Sequence, residues 1–224
     1  MKKSARIAGF LFLALSLTDV VPLCFGIGSI HPLVKPFLIP SLAAAALFSL
    51  LPEHKGRQTV LLALGMALHA AGDILLIFDS RGFIWFAAGL AAFLLGHFCY
   101  IAVLLHKMGR LRGWKEIFTW IIPMLAFPII SVFEVQGALR IVLAVYAATL
   151  FYVTASGGLW ILRGRKLGWR ILAGGLFFIV SDTMLALHAF NGVDFPLRHS
   201  AVMGSYLFAE WLLVSGMVRQ RFFD

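Results

Sequence analysis

Residues 83–105 read FIWFAAGLAAFLLGHFCYIAVLL. These twenty-three positions hold no Asp, Glu, Lys or Arg. As a helix they would extend about 34 Å, enough to cross a hydrocarbon layer of roughly 30 Å. Seven more stretches are mostly apolar and of similar length, although each carries a charged residue: Ile7–Ile27, Leu33–Leu51, Thr59–Phe78, Glu116–Phe133, Ala138–Leu162, Leu167–Phe190 and Ser200–Val218. The connections are short, and no linker or low-complexity run separates them. The expectation is therefore an all-α bundle of eight membrane-spanning helices, forming one transmembrane domain over residues 1–224.

Composition supports this reading. Hydrophobic residues make up 61% of the chain and charged residues 13%, and the mean hydropathy is +0.94. A soluble domain of this size cannot bury so much apolar surface. A disordered chain, a disulfide scaffold and an ordinary cytosolic enzyme are excluded, which leaves an integral membrane protein. The net charge of +9 does not indicate nucleic acid, because the basic residues stand in short clusters between apolar runs. Cys24 and Cys99 lie within apolar runs, so they are expected to be buried thiols and not a disulfide or a zinc site.

The basic clusters set the orientation. Fifteen of nineteen lysines and arginines fall on one side: Lys2, Lys3, Arg6, Lys55, Arg57, Lys107, Arg110, Arg112, Lys115, Arg163, Arg165, Lys166, Arg170, Arg219 and Arg221. Lys35, Arg81, Arg140 and Arg198 remain on the other. Positive residues stay cytoplasmic, so both termini are expected inside, consistent with an even number of spans. Lys2, Lys3 and Arg6 precede an apolar run too long for a signal peptide, with no small-residue cleavage site after it, and the run is read as a retained first helix. Gly72-Asp73-Ile74-Leu75-Leu76 and Ser181-Asp182-Thr183-Met184-Leu185 form a weak 4+4 parallel repeat. Trp114, Trp120 and Trp169 read as interfacial anchors.

The spans contain groups that hydrocarbon disfavours. Asp19, Asp73, Asp182 and Glu210 lie within them, with His69, His97 and His188, and Lys35 just inside the second. An ionisable group at a helix centre costs roughly 2.5–3.5 kcal/mol on insertion scales, so such groups turn toward protein or water. The topology sets all of them between the midplane and the outer interface, as one shared polar pocket would require. His69 and Asp73 share a helix face, as do His97 and Tyr100, and Tyr206 and Glu210. Tyr146, Thr149, Tyr152 and Ser156 make a hydroxyl stripe suited to a wet lining. Structural roles compete with these: Asp19 pairing with Lys35, and His69 and His188 as supporting or interfacial groups. No G-x-S-x-G elbow, H-E-x-x-H motif, Cys/His cluster or phosphate-binding glycine loop occurs; Gly157-Gly158 and Gly174-Gly175 read as helix-packing sites.

Gly72-Asp73, the block FLLGHFCY at Phe93–Tyr100, Ser181-Asp182 with its following apolar run, and Lys35-Pro36 resemble, in order and spacing over nearly the whole chain, the YhhN-like lysoplasmalogenase family. One departure stands out: the family pattern has an amide near the position of Glu210. The resemblance implies a multispan enzyme without a cofactor that hydrolyses the vinyl ether bond of lysoplasmalogens, with a lysophospholipid substrate and membrane lipids as its partners. A bacterial inner membrane is the expected location. The chemistry of the residues agrees. Vinyl ether hydrolysis needs an acid to protonate carbon, an anion for the resulting cation and a group to orient water, and two buried carboxylates in unequal surroundings supply the first two. Asp73 and Asp182 are the expected pair, with His97 orienting water and Lys35 meeting the phosphate. Tyr100, Tyr146, Tyr206, Glu210 and Asp19 are the remaining expected substrate contacts. A proton-coupled transporter and a non-catalytic scaffold are the alternatives.

The topology has a direct check. In a chain lacking Cys24 and Cys99, His54→Cys and Met108→Cys should react with an impermeant thiol reagent from the cytoplasmic side, and Ser80→Cys from outside. The reverse pattern would overturn the orientation.

Overall fold

The computed structural model describes residues 3–51, 56–108 and 114–222. Among these there are helices and no strand. They are α1 (Lys3–Cys24), α2 (His31–Leu50), α3 (Arg57–Leu76), α4 (Phe83–Met108), α5 (Trp114–Met124), α6 (Ala126–Ile129), α7 (Ala138–Leu162), α8 (Gly168–Asn191) and α9 (Arg198–Phe222), with single 3₁₀ turns at Asp79–Arg81 and Ile130–Val132. Local chemistry sets several ends. Pro32 stands in the first turn of α2, where a missing N–H leaves no helix bond unmade. Gly192 ends α8 in the left-handed region at φ 65°, its N–H bonding back to the His188 carbonyl.

Among the described residues, seven helices are long and apolar enough to cross a membrane: α1, α2, α3, α4, α7, α8 and α9. The expected span Glu116–Phe133 is not one of them. It is broken into α5, the four-residue α6 and the turn at Ile130–Val132. Pro123 and Pro128 each remove a helix donor, and at the break the Leu125 N–H reaches only three residues back, to the Ile122 carbonyl at 3.1 Å. Among the described residues, seven continuous apolar helices and one broken apolar segment thus stand where the eight apolar stretches were expected.

The helices group into two compact units, Met1–Val103 and Leu104–Asp224, the division falling within α4. In the first unit α2 packs on α1 and α3. Leu38, Ile39, Leu62 and Met66 are buried there, while Phe10, Leu33, Phe37 and Ile84 are exposed. Large apolar side chains facing outward from helices long enough to span are the mark of a lipid-facing surface, and the chain is an integral membrane protein. Cys99 is half-buried, but Cys24 is exposed, contrary to expectation; both are free thiols.

In the second unit α7 packs on α5 and α8, and α8 on α9. Lipid tails are as apolar as leucine, so close backbone approach takes over the role water-driven burial has in soluble bundles. Gly157 faces the Leu172 backbone across α7 and α8, and Gly175 faces Thr154. Gly174 faces Leu213 of α9. Gly158, expected to pack with Gly157, meets nothing within 4 Å. In the first unit Gly96 of α4 does the same service against the His69 ring of α3.

This contrast is testable in one unfolding series in detergent. Gly157→Ala should destabilise the protein by about 1–3 kcal/mol, because a methyl would overlap the Leu172 backbone. Gly158→Ala, with open space around it, should be neutral or slightly stabilising, since alanine favours helix.

Candidate functional site

In the first unit, α2 carries His31 and Lys35 one turn apart, and each meets an aspartate of a different neighbour. His31 Nδ1 lies 2.8 Å from Asp19 Oδ1 of α1. Lys35 Nζ lies 3.7 Å from Asp73 Oδ1 of α3, beyond hydrogen-bond length but within ion-pair range. Lys35 and Asp73 are nearly enclosed, with side chains 9% and 3% exposed. Asp19 is therefore matched with His31 and not with Lys35. The reason is register: Asp19 lies late in α1, level with the first residue of α2, while Lys35 is a turn deeper and reaches α3.

One turn before Asp73 on α3, the ring of His69 enters the seam with α4. Its centroid is 4.7 Å from that of His97, 4.8 Å from Tyr100 and 5.2 Å from Phe93. His69, His97 and Tyr100 are all fully buried. The His69 ring fits there because position 96 is glycine. Thus the first unit brings together Lys35 with Asp73, and His97 with Tyr100 around His69. Asp19 is joined to His31, a residue the sequence reading passed over. Its signal was present: His31 stands four residues before Lys35, on the same face of the helix.

The second unit holds its own carboxylates. The Tyr146 hydroxyl of α7 donates to Asp182 Oδ2 of α8 at 2.5 Å. Next to Asp182, Ser181 donates to the Val202 carbonyl of α9 at 3.0 Å. Tyr206 of α9 meets Phe178 edge to face, 5.5 Å between centroids, and one turn on lies the fully buried Glu210. The hydroxyl stripe of α7 is not a single wet lining. Thr149 and Ser156 donate to carbonyls of their own helix, at Tyr146 and Tyr152, each at 2.7 Å. Tyr152 turns toward α5, its ring 5.2 Å from Trp120. Only Tyr146 among the four gives its hydroxyl to a carboxylate. His188 lies at the end of α8 beside the Val193 carbonyl, as an interfacial residue would. Among the described residues no three of His, Cys, Asp and Glu are grouped as a metal ion would require.

Chemically, then, the spans hold two aspartates with unlike partners. Asp73 stands beside an ammonium, and Asp182 beside a neutral phenol. Such a set can hold a proton on one carboxyl and a negative charge on the other.

The sequence pattern of the YhhN family matches residues 30–217. The chain belongs to the YhhN family. The matched region contains Lys35, Asp73, His97, Tyr100, Tyr146, Asp182, Tyr206 and Glu210, and it leaves Asp19 outside. The chain is also similar to the lysoplasmalogenase TMEM86A of Homo sapiens, with 30% identity over 164 residues. That alignment covers 70% of this chain and 65% of the human protein, so the chain spans just under two thirds of that relative's length. No solved structure matches.

For this YhhN-family chain the Lys35–Asp73 pair gives a stability prediction. Removing one partner of a buried ion pair costs about 3–5 kcal/mol, because the other charge stays enclosed. Lys35→Met should therefore destabilise the protein strongly, and adding Asp73→Asn should recover part of that loss. A double-mutant cycle read by unfolding in detergent checks it; strictly additive effects would show the pair to be uncoupled.

Proposed function

We propose that this chain is a lysoplasmalogenase-type ether hydrolase, cleaving the vinyl ether bond of a lysoplasmalogen to a fatty aldehyde and a glycerophospho-headgroup alcohol. The observation that carries the proposal is the likeness to the human lysoplasmalogenase. The two intramembrane aspartates with unlike partners support it from the chemical side. The proposed setting is a bacterial inner membrane, in keeping with the basic start of the chain.

The reaction begins with proton transfer to the β-carbon of the vinyl ether, which leaves an oxocarbenium ion. Water adds to the cationic carbon, its proton goes to the carboxylate left by the first step, and the hemiacetal collapses to aldehyde and alcohol. We assign the first step to Asp182. If its carbonyl-type oxygen accepts the Tyr146 hydroxyl, the other oxygen carries the proton, and the same phenol stabilises the carboxylate left behind. We assign the anion that faces the oxocarbenium to Asp73, with Lys35 beside it as standing counter-charge. Lys35 stands within ion-pair range of Asp73, so its proposed role moves from headgroup phosphate to holding Asp73. His97 is assigned to water. Tyr100, Tyr206 and Glu210 remain the proposed substrate contacts.

A proton-coupled transporter gains one observation, the broken segment α5–α6, since discontinuous helices mark many transporter sites. None of the candidate residues lies on that segment, which favours the enzyme.

Asp73→Asn and Asp182→Asn should each lower aldehyde release on the order of 10²–10⁴-fold while the protein still inserts and binds lysolipid, since asparagine neither donates the proton nor carries the charge. His97→Gln should cost less. A folded variant of either aspartate with near-normal release would refute the two-carboxylate mechanism. Lysolipid accumulation in vesicles driven by a pH gradient, without aldehyde, would establish the transporter instead.

A further inference from the structure

At the end of the second unit where α8 begins and α9 finishes, a guanidinium is held without an acid. Arg170 lies in the first turn of α8. Its Nη1 donates to Ser215 Oγ of α9 at 2.8 Å, and the Ser215 hydroxyl donates to the Leu212 carbonyl at 3.2 Å. The guanidinium carbon stands 5.3 Å from the Trp169 ring centroid and 5.6 Å from that of Trp211, within cation–π range of both. Trp211, Ser215 and Arg219 recur every four residues on one face of α9, and the Arg219 charge acts on Arg170. Among the described residues, no carboxylate forms an ion pair with either arginine. The Arg170 Nε is buried and has no acceptor.

Two guanidinium groups side by side repel each other, and an anion between them reverses the sign of that interaction. A phosphate suits best, because its oxygens match the guanidinium fork. The flanks decide the source. Trp169 and Trp211 are 49% and 39% exposed, and indoles settle at the headgroup level of a bilayer, where a lipid's glycerol and upper acyl chain would cover them. Free phosphate has nothing to offer those rings. A zwitterionic lipid brings its own cation to a site that already has two, so an anionic lipid fits. Arg170 is twelve residues from Asp182, about 18 Å along α8, which separates this feature from the proposed chemistry.

We infer that Arg170 and Arg219, with Trp169 and Trp211 at their sides, bind the phosphate of an anionic phospholipid in the leaflet at the start of α8, the side on which the charge distribution sets the cytoplasm. This goes beyond the hydrolase proposal and does not depend on it. The tryptophans are thus more than anchors: they hold the cation in place.

The test uses the full chain purified in detergent, mixed with equal amounts of phosphatidylglycerol and phosphatidylcholine, with retained lipid read by native mass spectrometry. Phosphatidylglycerol should be retained in preference. Arg170→Gln and Arg219→Gln should each lower its retention about fivefold, the factor for roughly 1 kcal/mol per basic residue at an anionic surface. Arg170→Lys should lose less, and Arg140→Gln, remote in sequence and exposed, should change nothing. Equal retention of the two lipids, or retention indifferent to both glutamine substitutions, would overturn the inference. Inorganic phosphate or glycerophosphoglycerol displacing the lipid at comparable concentration would overturn its lipid assignment. If Arg170→Gln failed to fold, Arg219→Gln would decide the matter, because Arg219 is exposed.

Discussion

Hydrocarbon offers no hydrogen bonds, and every polar group carried into it must find a partner on its own helix or on the next. The polar architecture of this chain follows from that constraint. Asp19 meets His31, Asp73 meets Lys35, and Asp182 meets Tyr146, each pairing two sequence-adjacent helices. Serines and threonines without such a partner turn back to their own backbone, as Thr149, Thr154 and Ser156 do. Glycines let helices come close at the α3–α4 and α7–α8 seams. Gly96 admits the His69 ring, and Gly157 and Gly175 bring α7 against α8.

How much of this is legible in sequence depends on the range of the interaction. Span positions depend on length and composition alone, and seven of the expected stretches appear as continuous helices. The fifth is interrupted because its composition is apolar while its backbone is not compliant. Pro123 and Pro128, five apart, interrupt donors on successive turns, and hydropathy does not register a missing N–H. Cys24 was misread for the opposite reason: an apolar neighbourhood in sequence means burial in water-soluble domains, but in a membrane helix it equally means a face turned to lipid.

Partner choice is the least legible layer. Asp19, His31, Lys35 and Asp73 were all visible as residues, but which side chain of α2 meets which carboxylate depends on helix register at the level of one turn. The hydroxyl stripe failed similarly. Spacing placed Tyr146 and Tyr152 on nearby faces, whereas the roughly 120° between them sends one to α8 and the other to α5. The identities of the acidic residues were readable because their cost in hydrocarbon makes them conspicuous; their partners had to come from geometry.

The chemical account rests on the inequality of the two aspartate environments. In the proposed mechanism the ammonium beside one carboxylate supports a negative charge and the phenol beside the other a movable proton, the combination that carbon protonation requires. The most direct test follows the proton itself. Aldehyde released from a lysoplasmalogen in D₂O, trapped at once by reduction, should carry one deuterium on the carbon next to the former carbonyl, in a single configuration, because a fixed carboxyl delivers it to one face of the double bond. Aldehyde with no deuterium at that carbon, or with deuterium in both configurations equally, would contradict delivery by a positioned acid within the protein.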